Sequence, residues 1–245
     1  MEQVGAIVTG SSRGIGEATA IRLAQEGFRI TVNYSRDESG AKNTVKLVKN
    51  HGGEAFSVRA DITKPEEVEN MVDQTIERYG DIGVLVNNAG DSHHATLDEL
   101  KHDDWNDSID VNLTGAFNCS KAVEPHMRDL GWGRIVNISS LRAMTGSTHG
   151  SHYASAKAGL LGFTKSLARE LAPQINVNAI SPGYTRTPMT AESLEKKGDE
   201  IRAKIPLNRA AEPEEIAGVV AFLTSEDGNY VTGETINANG GIYMR

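Results

Sequence analysis

The chain has 245 residues, a formal charge of −8, one cysteine and 25 glycines. A chain of this length buries roughly 70–75% of its unfolded surface, so its core needs neither disulfides nor a structural metal. The acidic balance argues against a general nucleic-acid binder, which carries a basic stripe. The single Cys119 excludes an intrachain disulfide and fits a reducing compartment.

Short β-rich runs alternate with longer helical patterns along the chain. Residues 4–9 read as a strand ending at Gly10, and 15–26 as a helix with Ile15, Ala18, Leu23 and Ala24 near one face and Gly27 as its stop. Residues 28–34 read as strand two, 41–50 as a helix, 55–59 as strand three and 65–79 as a helix opened by Pro65. The apolar run 84–87 is strand four. One long helix is expected over 104–128, then strand five at 134–139, a helix at 153–171, strand six at 177–181, a helix at 213–223 and strand seven at 235–238. This alternation predicts a single α/β domain over 1–245, a doubly wound parallel sheet with helices on both faces. The polar, charged stretch 184–207 is expected to form a short helical insertion or lid, or else a solvated linker. No apolar run approaches the ~20 residues of a spanning helix. Met1-Glu2-Gln3-Val4 lacks the basic start of a signal peptide, so a cytoplasmic protein with no membrane partner is expected.

Four strand ends suggest a nucleotide. Thr9-Gly10-Ser11-Ser12-Arg13-Gly14-Ile15-Gly16 joins the first strand to the first helix. Its glycines allow a tight turn and close backbone approach, and a helix N-terminus offers free N–H groups and a positive dipole to a diphosphate. The spacing is G-x-x-x-G-x-G, not the G-x-G-x-x-G fingerprint. The second strand ends Asn33-Tyr34-Ser35-Arg36, with no acid before Asp37. Arg36 and Arg13 can face a 2′-phosphate, which favours NADPH/NADP+ over NADH. Asp61 and Ile62 stand where an adenine amine is received, and Asn88-Ala89-Gly90 where a ribose lies close.

A catalytic set is also visible. Tyr153 and Lys157 lie four apart, on one helical face. A phenol near pKa 10 is a poor acid–base at neutral pH, and a neighbouring ammonium would lower it. Ser140, at the end of strand five, can orient a substrate oxygen. Asn112 is a poor helix-interior residue whose amide can hold a kink and a water leading to Lys157. Leu141, Met144 and Tyr184 are candidate substrate contacts. His149 and His152, in the loop before Tyr153, lack metal-helix spacing, so no metal is expected.

These stretches, with Pro182-Gly183-Tyr184-Thr185-Arg186-Thr187 and the thirteen-residue gap from Ser140 to Tyr153, resemble the short-chain dehydrogenase/reductase family of the classical type. Within it the chain looks most like the 3-oxoacyl-(acyl-carrier-protein) reductases, through 160–170, 208–217 and 231–244. The resemblance implies a seven-stranded sheet ordered 3-2-1-4-5-6-7 and an NADPH-dependent oxidoreductase of fatty acid biosynthesis. It implies Tyr153 as acid–base, Lys157 on the nicotinamide ribose, Ser140 on the ketone, Asn112 in a proton relay, and Pro182, Gly183, Thr185 and Thr187 near the nicotinamide and diphosphate. The implied partners are a small-molecule or thioester substrate, an acyl carrier protein among them, and further copies of the chain in a homotetramer. Acetoacetyl-CoA reduction, alcohol, polyol or sugar oxidation, and a silent NADP(H) sensor are the alternatives. Where carrier-protein reductases present basic side chains, this chain has Leu130-Gly131-Trp132-Gly133 and Ala172-Pro173-Gln174-Ile175, leaving Arg128, Arg134 and Arg169 nearby.

Overall fold

The computed structural model describes residues 3–244. Seven strands, β1 (Gly5–Val8), β2 (Arg29–Tyr34), β3 (Ala55–Arg59), β4 (Val84–Asn87), β5 (Gly133–Ile138), β6 (Ile175–Pro182) and β7 (Thr235–Ala238), form one parallel sheet in the order 3-2-1-4-5-6-7. β1, β4 and β5 are buried along their whole length, because helices cover both faces. One apolar layer contains Leu23, Ile30, Val86, Ile216 and Val220; the other contains Ile7, Met71, Leu85, Val123 and Ile135.

Helices α1 (Gly14–Gln25), α2 (Glu38–Asn50) and α3 (Pro65–Tyr79) follow the first three strands. Pro65 opens α3, where its missing N–H costs nothing, and Gly80 ends it in the left-handed conformation. α2 begins three residues before the expected 41, because the Asp37 carboxylate accepts from the Gly40 amide at 2.9 Å and caps it.

The expected single helix over 104–128 is instead three joined pieces: α4 (His102–Ile109), a π-helical turn (Asp110–Thr114) and α5 (Gly115–Leu130). A four-residue helix α6 (Arg142–Thr145) precedes α7 (Ser151–Glu170). α7 starts two residues earlier than predicted, so His152 is on the helix rather than in a loop. The uncertain stretch contains α8 (Ala191–Lys204), broken at Lys197, and α9 (Pro213–Thr224) packs against α1. Among the described residues no helix is long and apolar enough to cross a membrane.

The sheet order reverses between β1 and β4. The carboxyl ends of the central strands therefore open onto a crevice, the place where such sheets take ligands.

Candidate active site

The turn after β1 is a cradle held by side chains from its neighbours. Gly10 and Gly14 sit at φ +59° and +61°, conformations that strain any residue with a Cβ. A Cβ at Gly10 would lie 2.8 Å from the Ala89 backbone, and one at Gly14 would meet the Thr187 side chain at 3.3 Å. Gly14, the β4 end and the segment after β6 thus converge. α1 starts with no side-chain cap, which leaves the N–H groups of its first turn, from Gly14 through Ile15 and Gly16, unclaimed by side chains. With Ser12 and Arg13 beside them, they fit a diphosphate.

Two predicted cofactor residues prove to be builders of this cradle. The buried Asn33 side chain accepts from the Gly10 amide at 3.1 Å and donates to the Ala60 carbonyl at 3.0 Å. The Asn88 amide donates to the Thr9 and Gly10 carbonyls at 2.9 and 3.0 Å. The Asn33 side chain is buried with both polar atoms engaged, and both hydrogens of the Asn88 amide are committed to the turn. A lone sequence does not distinguish an amide that binds a ligand from one that holds the loop that does.

Beyond β2, Tyr34 is half-buried, and Ser35 and Arg36 are exposed. Arg13 is exposed as well, and its charge helps the Gly40 amide and Ser39 hydroxyl hold the Asp37 carboxyl below its ordinary pKa. Burial pushes the Asp61 carboxyl up. The Thr63 hydroxyl and amide, then Lys64 and Arg36, outweigh that and leave it below its usual value. Asp37 is thus spent on α2, while Arg13 and Arg36 remain exposed to receive an anion. Asn118 donates to the Ile62 carbonyl at 2.9 Å, and the Asp61 carboxylate offers an adenine amine the stronger, charged acceptor. That carboxylate already takes two bonds from Thr63 and has lone pairs to spare.

At the end of β5 the catalytic candidates meet. The Ser139 hydroxyl donates to the Lys157 carbonyl at 2.9 Å, pinning α7 to the strand. Lys157 is 4% exposed, and its ammonium donates to the Ile138 carbonyl at 2.9 Å and lies 5.8 Å from the Tyr153 ring centre. Burial lowers its pKa to about 8. Burial also raises the Tyr153 phenol, and the Ser140 hydroxyl and Arg142 guanidinium draw it back down.

The Asn112 amide donates to the Ser108 carbonyl at 3.0 Å and the Asp91 carbonyl at 2.9 Å. It thereby inserts into the helical ladder, which is the cause of the π turn. Its Oδ1 is buried without a partner. A Cβ on Gly90 would lie 2.7 Å from that oxygen and 3.2 Å from Lys157 Nζ, so both groups face the same glycine. A buried orphan carbonyl near a buried ammonium fits a bridging water.

The model of the family described as enoyl-(acyl carrier protein) reductase matches residues 10–243. A 3-oxoacyl-(acyl-carrier-protein) reductase of Staphylococcus epidermidis is 41% identical over 240 residues, covering 98% of both chains. The chain belongs to the short-chain dehydrogenase/reductase family. A 3-oxoacyl-(acyl-carrier-protein) reductase of Synechocystis is 43% identical, covering 98% of this chain and 96% of the relative. Among solved structures, an actinorhodin polyketide ketoreductase with NADPH superposes with a TM-score of 0.94 at 38% identity, covering 99% of each chain.

The remaining candidates of this dehydrogenase/reductase divide. Thr185 is buried and Thr187 half-buried beside Gly14, and the Thr190 hydroxyl bonds the backbone around both. The Pro182 carbonyl accepts from the Leu141 amide, and Gly183 packs against Asn239. Leu141 is buried, and Met144 and Tyr184 are half-buried. Arg142, which the sequence reading passed over, donates to the Tyr184 oxygen at 2.9 Å. Its signal was available: a cation two residues beyond a strand-end serine.

His152 is fully buried against His93, ring centres 4.3 Å apart. Among the described residues no three metal-ligating side chains come together. Arg134 is buried under Trp132 and bonds Asn229, and Arg128 pairs with Glu124, so of the three cations only Arg169 is exposed and free of such a partner.

Proposed function

We propose that this protein reduces a 3-oxoacyl thioester to the 3-hydroxyacyl thioester with NADPH, an acyl carrier protein presenting the acyl group and a homotetramer being the working form. The observation that carries the reading is the meeting of Tyr153, Lys157, Ser140 and Asn112 beside the glycine cradle. NADPH, when bound, supplies the hydride.

The cradle from Gly10 to Gly16, with Ser12 and Thr187, would take the diphosphate. Arg13 and Arg36 would take the 2′-phosphate, Asp61 the adenine, and Ala89 and Gly90 a ribose. The Ser140 oxygen accepts from the Arg142 amide at 3.1 Å, which leaves its hydrogen to hold the ketone oxygen. Tyr153 gives its phenolic proton to that oxygen as the carbonyl carbon is reduced. Lys157 holds a ribose and, through the water on Asn112, returns a proton to the phenolate. Residues 184–207, with α8, form the cover over the substrate.

Absorbance of NADPH followed with acetoacetyl-CoA, a carrier-bound 3-oxoacyl group and simple ketones tests this. Turnover of thioesters, faster with NADPH than NADH, is expected. Firm NADPH binding without turnover of any ketone or alcohol would mark a silent sensor. A second reading, a CoA-thioester reductase, is favoured by the burial of Arg134 and the pairing of Arg128. Both thin the positive face that an acidic carrier would use.

A further inference from the structure

Arg142 opens α6 and is half-buried, yet among the described residues no Asp or Glu forms an ion pair with it. Its guanidinium instead donates to the Tyr184 oxygen at 2.9 Å and lies 5.8 Å from that ring's centre. Its own backbone N–H donates to the Ser140 oxygen at 3.1 Å. One residue therefore connects the hydroxyl that receives a ketone to a second polar pair in the same site.

We propose that Arg142 and Tyr184 form the subsite for the second carbonyl oxygen of a 1,3-dicarbonyl substrate, the thioester oxygen of a 3-oxoacyl group. The inference rests on the ketone-reducing reading above. Guanidinium carries only donors, and because it donates to the Tyr184 oxygen the phenol keeps its own proton to give. The pair offers hydrogens and needs an acceptor. A carbonyl oxygen and a carboxylate are both acceptors, and the neutral one fits better. The charge of Arg142 helps hold down the pKa of the Tyr153 phenol, and a carboxylate on the guanidinium would cancel that help. A monoketone has no group for this subsite.

The test compares kcat/KM for acetoacetyl-CoA, free acetoacetate and cyclohexanone in the wild type, Arg142→Leu, Arg142→Lys and Tyr184→Phe, with NADPH affinity measured alongside to report folding. Any effect of Arg142 through Tyr153 is common to all three ketones and cancels in their ratios. The preference for acetoacetyl-CoA over cyclohexanone should fall about tenfold or more in Arg142→Leu, as loss of a charged hydrogen bond to substrate predicts. It should recover in part in Arg142→Lys and fall less in Tyr184→Phe. An unchanged ratio in Arg142→Leu overturns the subsite, and so does a loss confined to acetoacetate, which would mark an anion site. Wild-type turnover of acetoacetyl-CoA with an unchanged ratio sinks this inference alone. Failure of the wild type on the thioester, with cyclohexanone still reduced, sinks the function and the subsite together.

Discussion

At the scale of single residues, the site depends on one phenol in an environment that opposes its ionisation. Burial raises Tyr153, and Ser140 and Arg142 act against it. Tyr153→Phe removes the transferable proton and leaves the cradle intact. Turnover should fall by about 10²-fold or more, the usual weight of a general acid, while the NADPH dissociation constant changes little. Fluorescence titration beside steady-state rates separates the two. Arg36 gives a second check. It is exposed beyond β2, so Arg36→Ala should weaken NADPH by about tenfold while barely moving NADH, the loss expected for one charge-assisted contact with a 2′-phosphate. Equal losses would remove Arg36 from that contact. Tyr153, Lys157 and Ser140 could be picked out in the sequence because helix period and strand ends fix their neighbourhoods. That Asn33 and Asn88 hold the cradle is not legible locally, because their partners come from distant strands.

At the scale of elements, the alternation of strands and helices was legible because apolar runs and Gly/Pro stops are local signals. The widened turn at 110–114 was legible only as a misfit, an Asn inside an otherwise helical stretch. Its cause is the Nδ2 bond to Asp91, twenty-one residues away in the loop after β4. α8 was legible least, since its polar composition leaves a single buried residue, Ile201, to mark a face. The turn makes its own prediction. Asn112→Leu deletes the bonds to Ser108 and Asp91, each worth about 1 kcal/mol net, and frees the loop after β4. Amide exchange in residues 90–95 should quicken and turnover should drop. Asn112→Ser, short but polar, should restore part of the turnover if a water bridges to Lys157, and none of it if the amide acts only as a strut.

At the scale of the whole molecule, an active site built in the crevice of a parallel sheet must bury its ammonium, and the fold bears the cost. Lys157 sits at about 8 in the folded chain against roughly 10.4 when unfolded. Below pH 8 both states hold the proton and the charged amine destabilises the fold by about 3 kcal/mol. From pH 8 to 10.5 the unfolded chain binds the proton and the folded chain does not, so this penalty fades as pH rises. Lys157→Met carries no such charge but leaves the Ile138 carbonyl without its donor, a loss of about 1 kcal/mol. Urea unfolding should therefore show the variant inactive yet more stable than wild type by about 2 kcal/mol at pH 7, with the gap closing by pH 10. Every other titrating group is shared by the two proteins and cancels in the difference. A wild type that is the more stable at pH 7, or a gap that does not move with pH, would mean the ammonium is solvated in the folded chain and not held in the buried position from which it could serve a ribose and a proton relay.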